Sequence, residues 1–262
     1  MRISLSLFVV LWLAGCGLLP QVVDEDKNAS AQKLYGIATE AMSGQDYEKA
    51  VKYFELLEAR FPFGRYAQQA QLEVAYAYFK SREPASAIAA CDRFIKLHPN
   101  HPNVDYAYYL KGLVNFNEEL GVLGYVLIQD LSDRDPKAAR DAFEAFKELS
   151  TKFPQSKYAS DALKRMSYLV NALASHESYV AQYYYRRGAY VAAVNRAQNL
   201  LKTYPETPAT EAGLAVMVRA YDKMGLPDLS KDAQRVLEKT FPKSAYLKGA
   251  PLGLTKPWYQ IW

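Results

Sequence analysis

The chain has 262 residues, of which 50% are hydrophobic, 13% aromatic and 23% charged, and this composition is typical of a folded globular protein. The net charge is only +4 and the basic residues are not clustered, which argues against binding to nucleic acid. The 21 tyrosines have apolar rings with polar tips, which suit both helix packing and protein-binding surfaces.

Residues 1–15 have the features of a secretory signal peptide, which is removed from the mature protein. Arg2 supplies a positive charge, and the apolar run from Leu5 to Ala14 is shorter than the roughly 20 residues of a membrane-spanning helix. Residues 13–16, Leu-Ala-Gly-Cys, match the lipobox of bacterial lipoproteins. We therefore expect Cys16 to carry S-diacylglycerol and N-palmitoyl groups, which together anchor a protein firmly. The alternative is an ordinary signal peptide with a chance cysteine.

The residue after Cys16 bears on the destination of the protein. It is Gly17 and not Asp, and resemblance to the sorting rule of Gram-negative lipoproteins favours the outer membrane, with the chain facing the periplasm. Residues 16–31 form a lipidated flexible linker. Cys91 is the only other cysteine, so we expect no intramolecular disulfide and interpret Cys91 as a small buried apolar side chain.

Five dipeptides that end in proline indicate an internal repeat. The prolines are separated by 37, 55, 51 and 37 residues: Pro62, Pro99, Pro154, Pro205 and Pro242. Small residues stand 12 positions before them: Ala50, Ala87, Ala142, Ala193 and Ser230. Mostly medium or large residues stand 8 positions before them: Phe54, Cys91, Phe146, Ala197 and Gln234. Apolar residues stand 5 positions before them: Leu57, Phe94, Leu149, Leu200 and Leu237. This pattern is typical of the second helix of a tetratricopeptide repeat, because small residues permit close helix crossing and proline ends the helix.

The first helices of the repeats also have a common ending. Tyr184 and Gly188 precede Pro205 at the same distances at which Tyr221 and Gly225 precede the last repeat proline. A glycine there favours the left-handed backbone conformation that ends a helix. We predict an all-α solenoid of about five tetratricopeptide-like helix-turn-helix repeats over residues 32–242. Its N-terminal half covers about 32–154 and its C-terminal half about 155–242, and an aromatic tail follows at 243–262.

Two intervals between the prolines are longer than 37 residues. The interval of 55 carries 18 extra residues (55 minus 37) around Asn117–Pro136, between the two helices of repeat three. The interval of 51 carries 14 extra residues (51 minus 37), which we interpret as a lengthened first helix of repeat four, Tyr158–Arg187. Insertions in repeat proteins often carry function, and the alternative is a loop that covers core.

Chemical motifs are scarce in this sequence. His98 and His101 are flanked by prolines at a helix end, which favours a role in a turn over a zinc site. His176 and Glu177 stand isolated, and there is no nucleophile elbow, glycine-rich phosphate loop or pair of carboxylates. We therefore expect no catalytic residue, no metal and no cofactor apart from the covalent lipid.

Four strings add specificity to the lipobox and the repeats. They are Arg-Phe-Pro-Phe-Gly at 60–64, Asp-Arg-Phe-Ile at 92–95, Ser-Asp-Arg-Asp-Pro at 132–136 and Val-Ala-Ala-Val-Asn-Arg at 191–196. With them the chain resembles the BamD (ComL) family of β-barrel assembly lipoproteins, from the lipobox to about Phe241.

The resemblance implies a scaffold that binds BamA, BamC and other Bam lipoproteins and receives the aromatic-ended C-terminal signal of unfolded outer-membrane proteins. For BamA we single out Asn195 and Arg196, because a guanidinium can pair bidentately with a carboxylate across an interface. For the signal peptide we single out aromatic side chains that can form pockets for an extended peptide: Tyr35, Phe63, Tyr66, Tyr76 and Phe79. Each of these residues has a plainer alternative, as a core aromatic or as a solvated surface residue.

The tail departs from the family pattern, because residues 256–262 (Lys-Pro-Trp-Tyr-Gln-Ile-Trp) are rich in aromatics. We consider that it docks on a neighbouring protein or in the chain's own groove, or that it packs on the last helix. Two other functions compete with the family resemblance: a lipidated assembly factor for a pilus secretin and a regulator of peptidoglycan synthesis.

Overall fold

The computed structural model describes residues 28–116 and 136–252, and this part of the chain is helical. Ten α-helices follow one another: α1 (Ala31–Ser43), α2 (Tyr47–Arg60), α3 (Arg65–Lys80), α4 (Pro84–Leu97), α5 (Val104–Phe116), α6 (Pro136–Lys152), α7 (Ala159–Arg186), α8 (Tyr190–Thr203), α9 (Ala209–Lys223) and α10 (Pro227–Thr240). A short 3-10 helix follows at Ala245–Lys248. The helices form five successive pairs, so the prediction of an all-α fold with five helix-turn-helix repeats is confirmed.

The chain divides into two compact units, and the boundary lies inside α3, between Ala70 and Gln71. In the first unit α1 packs on α2. In the second unit each helix from α4 to α10 packs on the next, and α7 also packs on α9. The predicted division of the repeats into halves near residue 154 stays a prediction.

The second helix of every pair ends in the same way, as the prolines predict. The amide of the residue before each proline donates to the carbonyl four residues earlier, at 2.8 Å in all five cases: Phe61, His98, Phe153, Tyr204 and Phe241. At Phe61 the backbone has φ −131° and ψ 68°, outside the α region. The proline ring excludes the α conformation of the preceding residue, so each helix ends after one last hydrogen bond.

The repeat positions form the core. The small residues 12 positions before the prolines are at most 4% exposed, and the apolar residues 5 positions before them are at most 2% exposed. Among the residues that stand 8 positions before the prolines, Gln234 on the last helix is exposed and does not belong to the core. Since no further helix pair follows α10 in the described chain, this face of α10 is left to solvent and takes a polar residue.

The first helices end in a left-handed residue in four of the five pairs. Gly188 and Gly225 have φ 76° and 71°, as predicted, and Gln45 and Arg82 adopt φ 61° and 63° at the same distance of 17 residues before their repeat prolines. In each case the next amide donates to the carbonyl five residues earlier, at 2.9–3.0 Å. The turn therefore keeps its left-handed residue even at Gln45 and Arg82, where a side chain makes positive φ unfavourable.

Replacing Gln45 by Gly is expected to raise the free energy of unfolding by roughly 0.5–1 kcal/mol, because glycine reaches φ near 60° without the clash of a Cβ atom. Gly188→Ala is expected to lower the free energy of unfolding by about 1 kcal/mol for the same reason. Thermal melts of the two variants should shift in opposite directions. A lower melting temperature for Gln45→Gly would show that the Gln side chain contributes more than the strain costs.

The lengthened first helix of repeat four is confirmed as α7, which has 28 residues. The other predicted insertion, apart from Pro136 at the start of α6, lies outside the described residues. The signal peptide, Cys16 and most of the linker, like tail residues 253–262, also lie outside them. No described helix is long and apolar enough to cross a membrane.

Candidate protein-binding surfaces

Two of the five predicted peptide-binding aromatics are in contact within the first unit. The ring centroids of Tyr35 and Tyr66 are 5.4 Å apart, and Tyr35 also packs on the buried Phe54 at 6.0 Å. The Arg65 guanidinium lies 5.0 Å from the Tyr66 ring centroid, where it makes a cation–π interaction. Both tyrosines are half-buried, so each has a packed side and an accessible side.

Phe63 is the most exposed of the five, at 90%. It lies in the turn between α2 and α3, next to Gly64, whose φ of 99° is accessible only to glycine at low cost. A phenylalanine side chain this exposed contributes nothing to the core of the folded chain. Its apolar surface is available to a partner.

The remaining two predicted aromatics, Tyr76 and Phe79, are in contact within the second unit. Their ring centroids are 6.3 Å apart, and the planes are inclined by 52°. Both lie on α3 and are half-buried. They form a second aromatic pair, which we describe separately from that of Tyr35 and Tyr66.

Arg196, which sequence analysis assigned to a partner carboxylate, lies against a carboxylate of its own chain. Its Nη1 atom is 3.3 Å from Oε2 and 3.4 Å from Oε1 of Glu177. The Glu177 side chain is only 7% exposed, whereas that of Arg196 is 45% exposed. Asn195 beside it on α8 is exposed. The view of Glu177 as an isolated residue was wrong, because α7 and α8 pack so that the two charges meet.

Glu177 belongs to a buried polar stripe on α7 that sequence reasoning missed. Ser178 and Gln182 are 5% and 6% exposed, and Gln182 Nε2 donates to Ser178 Oγ at 3.2 Å. Burial and the Glu177 carboxylate raise the pKa of Tyr204, while Arg140 opposes this shift. The sequence contains a clue: residues 177, 178 and 182 follow the buried Ala174 at helical spacing, a pattern that places polar groups on a core-facing stripe.

Other tyrosines of the second unit serve helix packing. Tyr109 stacks on Tyr158 with centroids 4.6 Å apart and an interplanar angle of 15°. Its hydroxyl donates to Asp161 Oδ2 at 2.7 Å, and Arg165 Nε donates to the same oxygen at 2.5 Å. Burial and the hydrogen bond to Asp161 raise the pKa of Tyr109 to about 12. Such residues support the interpretation that tyrosine joins helices in this chain.

The two histidines take part in a turn, as predicted. His98 ends α4, and its Nε2 atom is 2.7 Å from Oε1 of Gln71. His101 accepts a hydrogen bond from the Asn103 amide at Nδ1, at 3.1 Å. The described residues contain no group of three or more His, Cys, Asp or Glu side chains placed to hold a metal.

Cys91 is fully buried and free, which confirms its interpretation as a core residue. Burial raises the pKa of its thiol from 9.0 to about 12, and Asp92 adds to the shift while Lys111 opposes it. Because the folded-state pKa is the higher one, the stabilising effect of the neutral thiol is complete below about pH 9. It is lost as the pH rises from about 9 to about 12.

The Cys91 thiol of a Cys16→Ser variant is therefore expected to react negligibly with a maleimide at pH 8 in the native protein, and fully in denaturing urea. The unfolded sample is the control for reagent activity. Rapid labelling of the native protein would show that α4 opens locally.

The helix pairs and their exposed aromatic and charged side chains define a helical-repeat scaffold. A family model described as "Outer membrane lipoprotein" (YfiO) matches residues 27–237. The BamD outer membrane protein assembly factor of Neisseria meningitidis serogroup B is 48% identical over 265 residues, covering 100% of this chain and 99% of that protein. The BamD of Vibrio cholerae is 35% identical over 233 residues, covering 89% and 95%. The crystal structure of MamA protein is similar at 15% identity with a TM-score of 0.38, covering 84% of this chain and 97% of that one. The chain belongs to the BamD family of outer membrane protein assembly factors.

Proposed function

We propose that this assembly factor is a lipid-anchored, non-enzymatic scaffold on the periplasmic side of the outer membrane. It binds BamA, BamC and other Bam lipoproteins, and it recruits unfolded outer-membrane barrel proteins through their C-terminal signal. The observation that carries the proposal is family membership over the whole length of the chain. The lipobox supports the anchor on Cys16, with S-diacylglycerol and N-palmitoyl groups and no other cofactor.

For BamA, the proposed contact is made by Asn195 and Arg196 on α8. Glu177 engages one edge of the Arg196 guanidinium, while the side chain as a whole remains 45% exposed. The planar group has five N–H donors, so it can hold Glu177 and still offer two parallel donors to a carboxylate on another protein. The internal ion pair orients the guanidinium before binding, which lowers the entropy lost at the interface.

For the barrel signal, the proposed contacts are the two aromatic pairs and Phe63. An extended peptide presents alternate side chains on one face, and accessible aromatic rings form pockets for them. Tyr35 with Tyr66 in the first unit and Tyr76 with Phe79 in the second are each packed on one side, so they are held in place for such contacts.

The partner assignment is tested by affinity purification of tagged full-length protein from a mild detergent extract, with mass spectrometry of the partners. We expect a BamA-type barrel protein in near-equal amount, and less of it with Asn195→Ala. Asn199→Ala, one turn further along α8 and also exposed, is the matched control. Recovery of a secretin or a peptidoglycan synthase without BamA would favour one of the two competing functions.

Phe63→Ala is expected to weaken the binding of a synthetic peptide ending in an aromatic residue by about tenfold, as expected for an exposed anchor residue. Fluorescence anisotropy of the labelled peptide measures the dissociation constant. Leu163→Ala is the control, because Leu163 is another exposed apolar residue, at 55%, and has no assigned role. Equal affinities for Phe63→Ala and the wild type would remove Phe63 from the site.

A further inference from the structure

An apolar groove on the second unit has no occupant among the described residues. It has a volume of about 500 Å³, lies between α8, α9 and α10, and is lined mainly by apolar side chains, including Leu201, Leu214, Met217, Leu229 and Val236. Leu229 and Val236 are 46% and 45% exposed. Large apolar side chains that are exposed together along one groove mark a binding surface, whereas single scattered ones do not.

The polar groups around the groove restrict what it accepts. Lys202 and Asp232 are the charged side chains among its lining, so their charges cancel. Gln198 Nε2 donates to the Tyr221 hydroxyl at 3.1 Å, which leaves the amide oxygen of Gln198 as an acceptor and the O–H of Tyr221 as a donor for a ligand. A neutral apolar groove with a few hydrogen-bonding groups suits an aromatic peptide segment with little charge.

The last described residues of the chain are held on the same unit as the groove. Ser244 accepts a hydrogen bond from the Tyr246 amide at the start of the 3-10 helix, and Arg219 donates to the Ala250 carbonyl. Leu252 is 8% exposed and belongs to the same core cluster as Leu214, which also lines the groove. The sequence after Leu252 therefore starts from a fixed point on the unit that carries the groove.

The ten residues 253–262 have the matching composition, with Leu254, Trp258, Tyr259, Ile261 and Trp262 and a single charge at Lys256. Ten extended residues span up to about 34 Å, and a helix is about 10 Å across, so the segment is long enough to pass round α10. Tethering raises the local concentration of such a segment to the millimolar range, which favours it over free ligands of similar chemistry.

We propose that residues 253–262 dock in the groove between α8, α9 and α10 of their own chain, with tryptophan side chains against Leu229 and Val236. The segment then covers apolar surface that would otherwise face solvent, and it competes with any aromatic-rich peptide for the same groove. This inference is independent of the function proposed above, because it rests on the groove, the anchored residue 252 and the tail sequence.

The tail contains Trp258 and Trp262, and Trp12 is the only other tryptophan in the sequence. In full-length protein with Trp12→Phe, tryptophan fluorescence therefore reports on the tail alone. We expect blue-shifted emission and slow quenching by acrylamide when Trp12→Phe is the only substitution. Leu229→Glu with Val236→Glu should shift the emission to that of free tryptophan, whereas Leu163→Glu, at a site on α7 that is 55% exposed, should leave it unchanged.

If the protein with Trp12→Phe alone shows the emission of solvent-exposed tryptophan, the proposal is overturned without any need for a groove variant. Blue-shifted emission that survives the double substitution, with helicity intact by circular dichroism, would also overturn it and place the tail elsewhere. Blue-shifted emission that is lost on dilution would assign the groove to the tail of a second copy instead. The proposal is supported only if the emission is blue-shifted, does not change with protein concentration and is lost on substitution of Leu229 and Val236.

Discussion

Phe146→Ala is expected to lower the free energy of unfolding by about 3–5 kcal/mol, the largest loss we predict for a single substitution in this chain. Phe146 on α6 is fully buried, and its ring packs on Tyr109 and Phe116 of α5, with centroids 6.0 and 6.2 Å away. Removal of the ring deletes its buried apolar surface and leaves a cavity that the helices fill only in part. Urea unfolding of the wild type and the variant measures the difference.

Phe63→Ala is the matched control, because Phe63 is 90% exposed and the same change there should alter the free energy of unfolding by at most about 0.5 kcal/mol. A loss below about 1 kcal/mol for Phe146→Ala would mean that α5 and α6 close over the cavity.

Gly112 provides an independent check of the same packing. A Cβ atom on Gly112 would lie 2.4–2.8 Å from three ring atoms of Phe146, so α5 approaches α6 here only because residue 112 has no side chain. Gly112→Ala should therefore destabilise the wild type by about 1–3 kcal/mol, and destabilise a Phe146→Leu background less. Gly36→Ala is the control: nothing lies within 4 Å of that Cβ position, and the gain in helix propensity should stabilise α1.

Arg196→Ala is expected to lower the free energy of unfolding by about 2–3 kcal/mol, even though the Arg196 side chain is 45% exposed. The reason is Glu177, whose side chain is 7% exposed and would lose this charged hydrogen-bond donor inside the protein. Urea unfolding at neutral pH measures the loss. Arg235→Ala is the matched control, because Arg235 pairs with an Asp232 side chain that is 62% exposed, and the loss of an exposed pair costs at most about 0.5 kcal/mol.

Glu177→Gln in the Arg196→Ala background should recover most of the lost stability, since an unpaired buried amide costs less than an unpaired buried charge. This double variant also separates the two roles proposed for Arg196. If it is stable but does not recover BamA from extracts, the guanidinium contacts the partner directly. If it recovers BamA as the wild type does, the role of Arg196 is confined to holding Glu177.

The sequence by itself determined the features that depend on neighbours along the chain. The repeat prolines end the second helices because a proline restricts the residue before it, and Gly188 and Gly225 end first helices because glycine adopts positive φ freely. The length of α7 followed from the spacing between prolines. Family membership followed from short strings of residues, which are local as well.

Tertiary structure decided the features that depend on which helices pack together. Sequence analysis singled out Arg196 for its guanidinium, but only the packing of α7 on α8 shows that this group meets Glu177. The left-handed residues Gln45 and Arg82 escaped prediction, because residues with a Cβ atom disfavour positive φ and their side chains give no local signal of it. The same holds for the tyrosines: ring chemistry is identical at Tyr66 and Tyr109, and the packing of the helices decides that Tyr66 contacts Tyr35 while Tyr109 stacks on Tyr158. Local steric rules act over a few residues, and for that reason the fold was predictable. The contacts of a side chain are a property of the assembled helices, so the pairing of Arg196 with Glu177 was not.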